Sequence, residues 1–125
     1  MEPLIIDGHD DTPYVVLDKD NNKFEFSGRS LPEDVASFYQ PIYDWLQEYT
    51  HSPNSTTEVK MKIDYFNSAS HKAINEVLEI LSKIHHKGNN VRVKWHYLRE
   101  DEDMLEAGKD YADLTGLSFD YISYD

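Results

Sequence analysis

The chain has 125 residues, one ordinary domain's worth, with nine Tyr, five Phe and two Trp to fill a core. Its net charge of −12 argues against a general nucleic-acid binder, because such a surface repels phosphate. The absence of cysteine excludes disulfides and thiol chemistry.

Met1-Glu2-Pro3-Leu4-Ile5-Ile6-Asp7 has neither a basic flank nor a long apolar run, so it does not read as an export signal. No segment approaches the ~20 apolar residues of a membrane helix, and the expected location is the cytoplasm. Tyr14-Val15-Val16-Leu17-Asp18 reads as a strand, Lys19-Asp20-Asn21-Asn22 as a turn, and Lys23-Phe24-Glu25-Phe26-Ser27 as a second strand. Together they form an antiparallel hairpin. Ser30-Leu31-Pro32-Glu33 has the form of a capping box, with Ser30 as cap. Val35, Phe38, Tyr39, Ile42, Trp45, Leu46 and Tyr49 then mark one face of a helix. Pro41 is expected to kink it there or to split it into two.

After a polar loop at 51–56, Val59, Met61, Ile63 and Tyr65 alternate with Lys60, Lys62 and Asp64, a strand with one buried face. From Ser68, the residues Ala73, Ile74, Val77, Leu78, Leu81 and Ile84 keep helical spacing, and Gly88 stops the helix. Val91, Val93, Trp95 and Tyr97 alternate with Arg92, Lys94 and His96 as another strand. A helix over 100–113 and a last strand through Leu117, Phe119 and Tyr121 complete the order β-β-α-β-α-β-α-β. The last three strands are joined through helices and are therefore expected to be parallel. Because the central strands alternate, the helices are expected mainly on one face of a mixed sheet of about five strands, in a single α/β domain spanning 1–125.

Little in the chain points to catalysis. The six histidines form no metal-binding pattern, and His9-Asp10-Asp11 reads as a solvated acidic segment. Glu100-Asp101-Glu102-Asp103 reads as a solvated helix start, since consecutive carboxylates do not face one another across a cleft. There is no phosphate loop or nucleophile elbow, so no enzyme, cofactor or metal is expected. Lys60, Lys62, Arg92, Lys94 and His96 share the polar phase of two neighbouring strands. They either keep an exposed sheet face soluble or dock an acidic partner. Ser68 stands where a strand gives way to a helix. A hydroxyl there is either a plain cap or the acceptor of a phosphoryl group, which the positive helix end stabilises.

Four stretches carry a resemblance. They are Phe26-Ser27-Gly28-Arg29-Ser30-Leu31-Pro32-Glu33, Tyr43-Asp44-Trp45-Leu46, Tyr65-Phe66-Asn67-Ser68-Ala69-Ser70 and Val93-Lys94-Trp95-His96-Tyr97. In their order and spacing the chain resembles the SiaC family of bacterial regulatory phosphoproteins, itself similar to the STAS domains of anti-sigma factor antagonists. The resemblance implies a STAS-like fold and a phospho-acceptor at Ser68, with Ser70 a lesser candidate. Threonine followed by two serines stands there in the pseudomonad-type sequence. The Asp-Ser-Ser-Gly form common in STAS switches is absent, since Asn67 replaces its Asp. The resemblance further implies partner switching. A serine/threonine protein kinase would phosphorylate the protein and a PP2C-type phosphatase would reverse this. The unphosphorylated form would bind and activate an effector, a diguanylate cyclase, raising cyclic di-GMP and favouring biofilm growth. Contact with the effector is expected at Tyr65, Asn67, Ser68, Ser70 and His71. Alternative roles are a small-ligand or nucleotide-binding STAS-like domain, an anti-sigma factor antagonist and, more remotely, a hydrolase built on His96 and carboxylates.

Overall fold

A computed structural model describes all 125 residues, Met1–Asp125. Six strands lie in one sheet in sequence order: β1 (Leu4–Ile6), β2 (Tyr14–Asp18), β3 (Lys23–Ser30), β4 (Thr56–Phe66), β5 (Asn90–Leu98) and β6 (Ser118–Tyr124). Helices α1 (Val35–Tyr49), α2 (Ser68–His86) and α3 (Glu102–Thr115) connect β3 to β4, β4 to β5 and β5 to β6. The first three strands pair antiparallel and β3 through β6 pair parallel. With right-handed crossovers, an order that advances one strand at a time puts every connecting helix on the same face. That is why β4 and β5 alternate instead of reading as continuous apolar runs.

The core lies between this face and the helices. Phe26, Met61, Ile63, Val93 and Trp95 from the sheet pack with Tyr39, Ile42, Leu46, Ile74, Leu78 and Tyr111 from the helices. Gly108 brings α3 close to the sheet. A Cβ on it would stand 2.6 Å from the Trp95 ring, whose Nε1 donates to the Met104 carbonyl at 2.9 Å. No helix is long and apolar enough to cross a membrane.

Four expectations need correction. The sheet has six strands, because Leu4–Ile6 adds a short edge strand to β2. Three residues are too few for a periodicity to reveal. Ser30 does not cap α1. It ends β3 and is fully buried, and Asp34 caps the helix by accepting from the Ser37 N–H at 3.1 Å. Helix α1 is not split into two at Pro41 but runs unbroken through it, with Pro41 on its exposed side. There the carbonyl left without a helical donor faces water. Finally, Tyr65 leaves the buried phase of its strand. The β3–β4 register shifts between Gly28 and Arg29, where Gly28 has φ of +106°, so that Asp64 is an extra residue and Tyr65 pairs with Arg29. Such a bulge turns the following side chain to the other face. Tyr65 is 49% exposed, with the Arg29 guanidinium 5.6 Å from its ring centre, and Phe66 takes the inward place.

Candidate functional site

The first turn of α2 follows directly from this bulge. Asn67 is the cap, accepting from the Ser70 N–H at 2.9 Å. Ser68 is therefore the first helical residue and not the cap expected from its place in the sequence. Its side chain is free and exposed, as is Ala69 beside it. The N–H groups of Ser68 and Ala69 belong to the first turn, which has no helical acceptors to offer them.

Beneath the exposed rim, the turn is tied down on two sides. Ser70 is fully buried, and the Ser30 hydroxyl donates to its Oγ at 2.9 Å. Ser30 Oγ also meets the Tyr39 hydroxyl at 2.7 Å, linking β3, α1 and α2. Burial pushes the Tyr39 hydroxyl up to about 12, so it stays a neutral partner. On the other side, the Tyr111 hydroxyl of α3 donates to the His71 carbonyl at 2.9 Å and also touches His71 Nδ1. The His71 ring lies between Phe66 and Tyr111, at 5.7 and 5.0 Å between centres. Burial raises the Tyr111 hydroxyl as well.

Of the expected contact residues, Tyr65, Ser68 and His71 are exposed together, Asn67 is half-buried, and Ser70 faces inward. A phosphoryl group on Ser70 would have to displace the Ser30 link. It is Ser68 that meets solvent. The outward turn of Tyr65 and the buried hydroxyl links were missed in the sequence. Gly28 was the one available signal for the bulge.

The charge around the site is distinctive. Helix α1 is capped by Asp34, and α3 is capped by Asp101 with Glu102 and Asp103 in its first turn. Helix α2 has a neutral cap and no acid in its first turn. Of the three helix N-termini, only this one offers a positive end with no carboxylate of its own at the cap or first turn. Between the starts of α2 and α3 runs a surface groove of about 500 Å³, lined by Asp64, Tyr65, Phe66, His71, Asp101, Asp103, Met104 and Ala107. Its three carboxylates oppose the phosphates of a nucleotide, which weakens the small-ligand reading.

Lys60, Lys62, Arg92, Lys94 and His96 lie on the helix-free face, half-buried and largely neutralised. Lys60 pairs with Glu25 at 3.2 Å, and Arg92 and Lys94 both hold Asp120, at 2.8 and 2.7 Å. Those two cations, Arg92 foremost, keep the Asp120 carboxyl down at about 2. Lys62 stands over the Tyr124 ring at 4.7 Å. This pairing favours the solubilising reading of the face over an acidic docking partner. His96 sits among these lysines and is pushed below its ordinary value, first by burial and then by Lys60 and Lys62. It lines no cleft with carboxylates, as a hydrolase built on it would require.

Comparison with known proteins gives a consistent picture. Residues 6–124 match the SiaC family of regulatory phosphoproteins. An uncharacterised protein of Pseudomonas aeruginosa (strain UCBPP-PA14) is 26% identical over 125 residues, 100% of this chain and 99% of that protein. Apo-SiaC from Pseudomonas aeruginosa has the same fold, with a TM-score of 0.90 at 24% identity over 98% of this chain and 100% of that one. A second SiaC structure from that organism gives a TM-score of 0.84 at 25% identity, covering 99% and 98%. A chain from the crystal structure of the diguanylate cyclase SiaD in complex with its activator SiaC gives 0.88 at 24% identity, covering 97% and 99%.

Proposed function

The chain belongs to the SiaC family of regulatory phosphoproteins, and from that premise we propose that it is a non-enzymatic partner switch controlled at Ser68. The unphosphorylated form binds and activates a diguanylate cyclase in the cytoplasm, through the surface formed by Tyr65, Asn67, Ser68 and His71. A serine/threonine protein kinase closes the switch and a PP2C-type phosphatase reopens it. The cyclase as effector rests on the SiaC relative found in complex with SiaD, its cyclase.

The observation that carries this reading is the carboxylate-free N-terminus of α2 with an exposed hydroxyl on its first residue. A phosphoryl group there adds about −1.5 to −2 charges and sits against unpaired N–H groups and the positive helix end. Because the turn is fastened to β3, α1 and α3 from within, the group is held in place at the surface and need not move the helix. A partner closing over it must bury a dianion, and an unmatched one costs several kcal/mol, enough to lose binding by orders of magnitude.

Phosphosite mapping after treatment with the cognate kinase tests the site. Phosphate is expected on Ser68 in the native chain and nowhere in Ser68→Ala, although Ser70 is intact. Phosphate on Ser70, or undiminished labelling of Ser68→Ala, contradicts the assignment.

A further inference from the structure

The two edges of the sheet are built differently. The β1 edge is three residues long and follows Pro3, so it offers little ladder to a partner. The β6 edge is seven residues, Ser118–Tyr124, with no Pro, Gly, Lys or Arg. It lacks the lysine, proline or bulge by which proteins often blunt exposed edges. Its single charge, Asp120, is turned back into the sheet by Arg92 and Lys94. The Arg99 N–H donates to the Tyr124 carbonyl at 2.9 Å, so Tyr124 directs its backbone groups toward β5. Peptide groups alternate along a strand, and therefore Phe119, Tyr121 and Ser123 direct theirs outward, unpaired.

Above this edge, on the helix side, α3 carries exposed Glu106, Asp110 and Asp113 at helical spacing. Lys109, paired with Glu106 at 3.7 Å, is the one Lys or Arg of that helix. Two of these acids act on the strand: after burial, the Asp113 and Glu106 carboxylates push the Tyr121 hydroxyl up. On the opposite side of the strand, Ile122 is 37% exposed.

We propose that the β6 edge takes an extended segment of a protein partner as a seventh strand, one that alternates basic and apolar residues. Its Lys or Arg side chains lie on the α3 side, toward Glu106 and Asp113, and its apolar side chains lie beside Ile122. Backbone pairing supplies the attachment and the alternation supplies the choice of partner. A second copy of the chain fits less well, because a two-fold joint at β6 brings two such acidic rows together. No residue of the Ser68 surface lies on β6, so pairing at this edge does not depend on the switch.

The test uses the full chain and three labelled, end-blocked octapeptides: alternating Lys-Val, the same composition in two blocks, and alternating Glu-Val. By fluorescence anisotropy, the alternating Lys-Val peptide is expected to bind at least tenfold more tightly than the block peptide, with the Glu-Val peptide not binding. Amide exchange at Phe119, Tyr121 and Ser123 is expected to slow on binding. Ser123→Pro removes an outward N–H and leaves the β5 ladder intact, so it is expected to weaken binding about tenfold. The Glu106→Gln/Asp113→Asn double variant, which keeps the backbone as it is, is expected to weaken it several-fold and flatten its salt dependence. Equal binding of the block peptide, protection at β1 or at the Ser68 turn, or no binding up to millimolar peptide would overturn the assignment. Concentration-dependent dimerisation with β6 protected in the absence of peptide would overturn it in favour of a second copy.

Discussion

Helices α2 and α3 begin at equivalent places, each directly after the C-terminal end of a parallel strand, at the same end of the sheet. Their first turns carry opposite provisions for charge. The α3 turn supplies its own carboxylates from Asp101, Glu102 and Asp103, so its positive end is already matched. The α2 turn supplies Asn67, Ser68 and Ala69, and its buried hydroxyl, on Ser70, is spent on Ser30 within the core. Both are helix N-termini, and only one has no carboxylate of its own at the cap or first turn. What singles out Ser68 is thus the lack of an acid in its own cap and first turn and not helix polarity alone. The anchoring differs too. Helix α3 is held by close contact of Gly108 with Trp95, and the start of α2 by hydroxyl links to its neighbours.

The largest stability effect is expected on the α3 side. Gly108→Ala forces a methyl group into the Trp95 ring and should cost about 1–3 kcal/mol in urea unfolding despite the better helix propensity of alanine. An unchanged midpoint would show that contact to be loose. The corresponding cut at α2 is milder. Ser70→Ala or Tyr111→Phe each removes a buried hydroxyl link and should cost about 1 kcal/mol, with Ser68 still phosphorylated. If either abolished phosphorylation in a folded protein, the turn would be positioned by that link alone.

Exchanging the caps sharpens the contrast. Asn67→Asp gives α2 the charge that α3 has and should stabilise it by about 0.3–1 kcal/mol, while Asp101→Asn removes a similar amount from α3. Asn67→Asp should also slow phosphorylation of Ser68, since the helix end is then already matched. Ser68→Ala, which deletes no cap, should change stability by less than ~0.5 kcal/mol.

The smallest effect separates a charged cap from a neutral one by pH. Bonds from Ser37 hold the Asp34 carboxyl below its ordinary value. A group whose folded value is depressed contributes fully above the unfolded value, and its contribution fades as pH falls through the folded one. The Ser37 amide resonance should therefore shift on acidification below about pH 4, while that of Ser70, bonded to neutral Asn67, should not.

Most of the fold was legible because alternation at β4 and β5 and the 3.6-residue spacing of α2 report buried faces directly. The parallel order followed from the helical connections. The errors fell where a local signal competed with a tertiary one. Ser30-Leu31-Pro32-Glu33 has the chemistry of a cap, yet the pairing of Ser30 with Phe66 draws it into the sheet. Tyr65 continues an apolar alternation that a bulge interrupts, and sequence periodicity has no term for an inserted residue. Ser68 was located correctly at the strand–helix junction but one place inside the helix, because Asn67 and Ser68 are both good caps and only the Ser70 N–H bond distinguishes them.

The central claim is that charge on the first residue of α2 decides whether the effector binds. Calorimetric titration of the cyclase with the unphosphorylated chain, the Ser68-phosphorylated chain, Ser68→Ala and Ser68→Glu tests it most directly. The unphosphorylated chain and Ser68→Ala should bind alike, the phosphorylated chain should bind at least a hundredfold more weakly, and Ser68→Glu should fall between, all with melting temperatures close together. Equal affinity of the phosphorylated and unphosphorylated chains would contradict the claim and leave Ser68 as no more than the first residue of a helix.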